Sequence, residues 1–319
     1  MSSSFLVNPL TFRPLYMTRV WGGRTLETKY RRSLPDEQPY GESWELVDRP
    51  AEQSIVNDGM FAGRSLHDLW TEHRDEVFGD GFDSDRFPLL IKILDACDDL
   101  SIQVHPPADV APSLGGEPKT EMWYIAGAEP GARLYAGLKR GVTREQFREA
   151  IASGMVADCV HDIEPRAGES IFIPSGRLHA IGAGLLIFEI QQNSDTTFRV
   201  FDWNRPGLDG RPRALHVEES LRCIDFNDHE PGMDDPRGAT LASCPHFEVE
   251  KLALPAGSAV ASPDPDRFSI VAVVAGALRS IDGRSFHPGD FVLLPRNSAA
   301  LDTTADSVVL RTFVPNQQR

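Results

Sequence analysis

Short apolar runs that alternate with polar positions dominate the chain, and they predict strands rather than helices. The clearest is Leu100-Ser101-Ile102-Gln103-Val104-His105. Side chains alternate across a strand, so Ser101, Gln103 and His105 share one face, and Ile102 and Val104 the other. A loop rich in Pro and Gly follows, then a strand-like run over residues 120–125 that carries Glu121. Folding these two strands together would bring the Gln103 carbonyl, the His105 imidazole and the Glu121 carboxylate to one point. That is most of a metal shell.

The same pattern supplies a fourth ligand and its surroundings. Gly168 to Pro174 reads as a strand ending in a Pro-Ser-Gly turn, which delivers His179 to the start of the next strand. In Leu185 to Gln192, Ile187, Glu189 and Gln191 share a face, and a ligand-holding lumen would explain polar groups in so apolar a run. Thr196 to Trp203 is a further strand, with Arg199 in it. Lys92 interrupts the buried pattern Phe87 to Asp95 and needs a carboxylate partner or a pocket to face. Trp21-Gly22-Gly23 and Gly41-Glu42-Ser43-Trp44-Glu45 are short turn-bounded runs whose tryptophans read as core.

Helical spacing is confined to a few places. Residues 65–78 take Ser65 as N-cap, and residues 143–151 take Thr143 and Gln146 as a capping box. Residues 228–237 read as a linker, and 245–316 return to short strands and turns. There Gly289 to Pro295 echoes Gly168 to Pro174, but Arg296-Asn297-Ser298 follows without a histidine. The fold predicted is mainly β, in barrels or sandwiches with a few short helices. A catalytic domain spans 1–235, and a similar β-domain without a metal site spans 236–319.

Composition narrows the function classes. With 319 residues, 41% apolar and 25% charged, the chain suits a soluble globular protein. A net charge of −15 argues against nucleic acid or an anionic membrane as partner, though not against an anionic substrate in a locally basic pocket. No stretch resembles a signal peptide or approaches the ~20 apolar residues of a membrane span. The four cysteines are far apart with no CxxC pair, which disfavours finger-type zinc and suits reduced thiols in the cytoplasm.

A Gln/His/Glu/His donor set reads as zinc, with iron or manganese on two His and one carboxylate as the competitor. Lys119, two residues before Glu121, shares its face. A metal beside Lys119, Glu189 and Arg199 suits polarisation of a carbonyl with proton transfer next to it. The two cations also suit a phosphate or an enediolate. An iron-dependent dioxygenase and a non-catalytic sugar-phosphate binder on the same barrel are the alternatives.

Three stretches, Phe87-Pro88-Leu89-Leu90-Ile91-Lys92, Leu100 to Pro106 and Lys119-Thr120-Glu121-Met122-Trp123-Tyr124, resemble type I mannose-6-phosphate isomerases. Gly168 to His179 fits the second cupin motif of that family, and Gln191 to Asp202 continues the match. Trp21-Gly22-Gly23 and Gly41 to Glu45 agree, so the likeness covers roughly residues 10–226. It implies two cupin-like jelly-roll barrels and the compact bacterial form, a monomer or homodimer. It also implies one zinc ion on Gln103, His105, Glu121 and His179, and a hexose 6-phosphate substrate. Arg199, Lys119 and Glu189 become catalytic groups, and Ser101 and Trp21 substrate contacts. Gln103 stands where generic cupins carry the first His of HxH and agrees with this family.

Overall fold

Alternation along the chain becomes alternation across facing sheets. The computed structural model describes residues 8–236 and 238–316, and the chain divides into two compact units. One comprises Tyr16–Trp44 and Ile91–Asp234, the other Met1–Leu15, Glu45–Leu90 and Asp235–Arg319. The architecture is mainly β, as predicted.

The first unit holds, wholly or for the greater part, the strands β1 (Leu15–Gly23), β2 (Tyr40–Leu46), β3 (Leu89–Ala96), β4 (Ile102–Val104), β5 (Glu121–Ala128) and β6 (Leu134–Leu138). They continue as β7 (Val160–Ile163), β8 (Ser170–Ile173), β9 (His179–Ile181), β10 (Leu185–Gln192) and β11 (Phe198–Phe201). A six-stranded sheet runs β1-β2-β3-β10-β5-β8 and a five-stranded sheet runs β11-β4-β9-β6-β7. Trp123, Ile125, Ile171 and Ile187 of the first sheet pack with Leu134, Ala136 and Ile181 of the second, forming a core between them.

The outer face of the five-stranded sheet is also covered. Ile102, Val104, Ala180, Phe198 and Val200 pack there with Phe147 and Leu221. These come from the helices Arg144–Ser153 and Val217–Cys223. The first of those begins with the predicted capping box of Thr143 and Gln146. Because one face of β4, β9 and β11 meets helices, their alternate positions Gln103, His179 and Arg199 turn inward between the sheets.

The second unit departs from a single division at residue 235. Residues 8–15 and Glu45–Leu90 group with the C-terminal strands, because apolar contacts tie them there. Leu10 bridges Leu293, and Phe78 and Phe87 pack on Phe268. The helix Leu66–Glu72 carries the Ser65 N-cap, reciprocated by Asp68. Five- and four-stranded sheets enclose a core that includes Val271, Val292, Val309, Leu278 and Leu301. The sequence echo is structural. Gly168 and Gly289 both take positive φ, and so do Gly176 and Asn297 eight residues on. In that register Ala300 stands where His179 stands in the first unit. Among the described residues no helix is long and apolar enough to cross a membrane.

The two glycine motifs near the N-terminus are explained by close approach. A Cβ on Gly22 would lie 2.4 Å from the Gly41 backbone nitrogen, and one on Gly41 would lie 2.5 Å from the Trp21 ring. Backbone cannot yield as a side-chain end can. Gly22→Ala is expected to destabilise the fold by about 1–3 kcal/mol, read as a lower urea midpoint at unchanged m-value. An unchanged midpoint would contradict this packing.

Candidate active site

Strand pairing brings the predicted ligands together. Gln103 lies opposite His179, and Arg199 opposite Gln103. Glu121 lies opposite Gln191, and Trp123 opposite Glu189. His105 follows β4 directly. Its Nε2 lies 3.6 Å from Glu121 Oε2, and His179 Nε2 lies 3.6 Å from Glu121 Oε1. Ligand atoms of His105, Glu121 and His179 all lie within 4.8 Å of one another, and all three residues are buried.

The backbone fixes the imidazoles. His105 Nδ1 sits 3.0 Å from the Thr196 carbonyl oxygen and His179 Nδ1 2.9 Å from that of Arg177. A carbonyl accepts only, so each ring carries its proton on Nδ1 and turns its Nε2 lone pair into the cluster. Burial, then Lys119, lowers the His105 pKa to about 3. Burial likewise lowers that of His179. Both rings are therefore neutral. His105 Nε2 and Glu121 Oε1 make no hydrogen bond. Buried polar atoms are rarely left so, and a divalent cation would satisfy them. Gln103 completes the set. Its amide nitrogen lies 3.4 Å from His179 Nε2, and its oxygen accepts from Ser101 Oγ at 3.2 Å. Rotating the amide exchanges the two atoms and points the oxygen into the cluster. The donors fit zinc: neutral imidazoles, a carboxylate and an amide oxygen, with no thiolate.

Beside the cluster lies a buried set of alternating charges. Lys119 Nζ is 2.8 Å from Glu121 Oε2 and 3.8 Å from Glu189 Oε1. Lys92 Nζ is 3.3 Å from Glu189 Oε1 and 3.8 Å from Glu42 Oε2. Lys92 thus has the carboxylates its position demanded. Trp123 Nε1 donates to Glu189 Oε2 at 3.0 Å. Trp44 Nε1 donates to Glu42 Oε2 at 2.6 Å, and Arg19 Nε to Glu42 Oε1 at 2.7 Å.

Equal burial gives these carboxyls different acidities. Burial alone would raise all three. For Glu42, Lys92 and Arg19 outweigh it and hold the pKa at about 2. For Glu121, Lys119 outweighs it and holds the pKa well below the usual range. For Glu189, burial and the nearby Glu121 prevail over Lys119 and Lys92, and the pKa is raised. Burial opposes the charge on Lys119, but Glu121 and Glu189 raise its pKa above the ordinary value.

A cavity of about 590 Å³ opens onto this set. Of the residues singled out by sequence, Trp21, Ser101, Gln103, Lys119, His179, Glu189 and Arg199 line it. His105 and Glu121 join through the cluster with His179. Arg199 is held by Ser101 Oγ, which accepts from its Nε at 3.3 Å, and by the Ala214 carbonyl, which accepts from Nη1 at 2.9 Å. Sequence reasoning missed Arg19, Glu42, Asp195 and Arg213, which also line the cavity. Glu42 had a usable signal, an acid between the Gly41 and Trp44 of a short apolar run. Arg213 had none, since it follows an irregular Gly- and Pro-containing loop.

Comparison with known proteins agrees with this geometry. The family model for the catalytic domain of type I phosphomannose isomerase matches residues 10–121. Mannose-6-phosphate isomerase ManA of Bacillus subtilis is 36% identical over 299 residues, which is 90% of this chain and 93% of that protein. The crystal structure of mannose 6-phosphate isomerase from Bacillus subtilis superposes with a TM-score of 0.87 at 30% identity, covering 97% of this chain and 100% of the other. A zinc-bound mannose 6-phosphate isomerase shares the fold, with a TM-score of 0.77 at 15% identity over 97% of this chain and 100% of the other. The chain belongs to the type I mannose-6-phosphate isomerase family.

Proposed function

We propose that this protein is a zinc-dependent aldose–ketose isomerase that interconverts mannose 6-phosphate and fructose 6-phosphate through a cis-enediol. One zinc ion per chain is held by Gln103, His105, Glu121 and His179. The observation that carries this reading is the convergence of two imidazole lone pairs and a carboxylate beside Glu189, whose pKa is raised. The family membership and the zinc-bound relative of the same fold support it. The protein works in the cytoplasm as a monomer or homodimer. The metal-bearing unit is a catalytic cupin barrel, and residues 236–319 belong to a cupin-like barrel without a metal.

When bound by these residues, zinc would supply Lewis-acid polarisation of the sugar's carbonyl. Glu189 takes the proton from C2 and returns it to C1, while the hydroxyl proton passes from O2 to O1 across the cis-enediol; a carboxylate with raised pKa is a stronger base than an ordinary one. Trp123 and Lys92 hold that carboxylate in place, which limits the orientations lost on reaching the transition state. Lys119 faces the same space and steadies an enediol oxygen, and Arg199 stabilises negative charge developing farther out. Ser101 orients Arg199 and touches substrate, and the Trp21 ring forms an apolar wall.

Coupled assay with mannose 6-phosphate should show turnover that chelation abolishes and zinc restores; no turnover of any hexose 6-phosphate by zinc-loaded protein would sink the reading. His105→Ala should bind zinc more weakly and lower kcat/KM by more than the ~100-fold typical of an outer-shell change, while far-ultraviolet circular dichroism stays β-type. Retained metal and rate would show that the ligand set is wrong. Glu189→Gln should keep zinc and lower kcat by about 10²–10⁴-fold. Because the base must be ionised and its pKa is raised, activity falls as pH drops through that pKa. The acid limb of kcat/KM therefore lies above the ordinary 4.5, and a limb at or below 4.5 would exclude Glu189 as the base.

A further inference from the structure

Five cationic side chains line the cavity: Arg19, Lys92, Lys119, Arg199 and Arg213. Two are committed within the protein. Lys92 and Lys119 are each 4% exposed, and each lies within 4.0 Å of two carboxylates. The three guanidiniums differ. They are half-buried, and each keeps one terminal nitrogen without a protein hydrogen bond among the described residues. Arg19 spends Nε on Glu42 and Nη1 on the Thr18 carbonyl, leaving Nη2. Arg199 spends Nε on Ser101 and Nη1 on Ala214, again leaving Nη2. Arg213 spends Nε and Nη2 on Asp202, leaving Nη1.

These groups belong to one neighbourhood. After burial, Arg213, Arg205 and Arg19 contribute to lowering the Arg199 pKa, as gathered like charges do. Arg199 has no carboxylate partner within 4.0 Å among the described residues. Asp202, which Arg205 also contacts at 3.2 Å, anchors Arg213. A guanidinium already fixed by a carboxylate presents its remaining N–H groups with little further loss of freedom.

We propose that Arg19 and Arg213, flanking Arg199, form the subsite that receives the substrate's phosphoryl group, Arg213 being presented by the loop that precedes it. The inference rests on the reading of the substrate as a hexose 6-phosphate. Arginine forks match phosphate oxygens, and the placement leaves the buried lysines and the metal cluster to the sugar's reacting end.

The test is titration calorimetry of the full chain with inorganic phosphate, sorbitol 6-phosphate and sorbitol, beside steady-state kinetics. Arg19→Gln and Arg213→Gln should each weaken both phosphorylated ligands about 10- to 100-fold, the effect of one charge-assisted hydrogen bond. KM should rise by a similar factor, with kcat changed less. Arg213→Gln leaves Asp202 paired with Arg205, and Arg19→Gln leaves Glu42 with Lys92, so either variant can decide alone if the other misfolds. Arg133→Gln removes a surface charge that does not line the cavity and should bind like the wild type. Unchanged phosphate affinity in folded Arg19 and Arg213 variants overturns the subsite, and so does an equal loss in Arg133→Gln. Failure of the isomerase reading looks different: wild type that binds sorbitol 6-phosphate but turns over no hexose 6-phosphate.

Discussion

The site depends on holding three carboxyl groups and two lysines against one another out of water. Glu42, Lys92, Lys119, Glu121 and Glu189 are all buried. Moving each ion from water costs several kcal/mol. Unit charges about 4 Å apart return ~4 kcal/mol at an effective dielectric near 20. The two terms are comparable, so the set adds little net stability, and its consequence is chemical. Neighbouring charges sort identical side chains into a strongly acidic Glu121 suited to a cation and a more basic Glu189 suited to a proton. No single residue sets this pattern, because Lys92 and Lys119 each serve two carboxylates. Removing one lysine strands charge at two positions.

Period-two alternation made most of this site legible in the sequence. Gln103, His179 and Arg199 lie on strands whose other faces bear Val104, Ala180 and Val200 and pack against helices. The apolar positions therefore fixed where the polar ones pointed. Glu189 between Phe188 and Ile190 gave the same signal in the opposite sheet, and Lys92 inside an apolar run called for a carboxylate partner or a pocket and has both. What alternation cannot give is register between distant strands. Arg19 and Glu42 meet across 23 residues, and neither reveals the other locally. Arg213 owes its position to Asp202 and to a loop without any period. The grouping of Glu45–Leu90 with the C-terminal strands was invisible for a related reason. Apolar residues such as Phe78 and Phe87 report that they are buried, not which core buries them.

The two units reuse one local device with different outcomes. A positive-φ glycine opens the strand, a proline ends it, and a second positive-φ residue turns the chain. Glycine does this at 176 without steric cost, and asparagine tolerates the same region at 297. The turn thus survives without the histidine, since Ala300 stands where His179 does in the echo. Strand and turn specify the fold, while the residue at the end of the turn decides whether a histidine joins Glu121 and His105.

The central claim is that His105, Glu121 and His179, with Gln103, form one zinc centre. X-ray absorption at the zinc edge of the reconstituted protein tests it most directly. The account predicts about one zinc per chain, a first shell of nitrogen and oxygen only at about 2.0–2.2 Å, and outer-shell scattering from two imidazoles that falls to one in His105→Ala. A sulfur scatterer near 2.3 Å, or an imidazole count unchanged by that substitution, would contradict it.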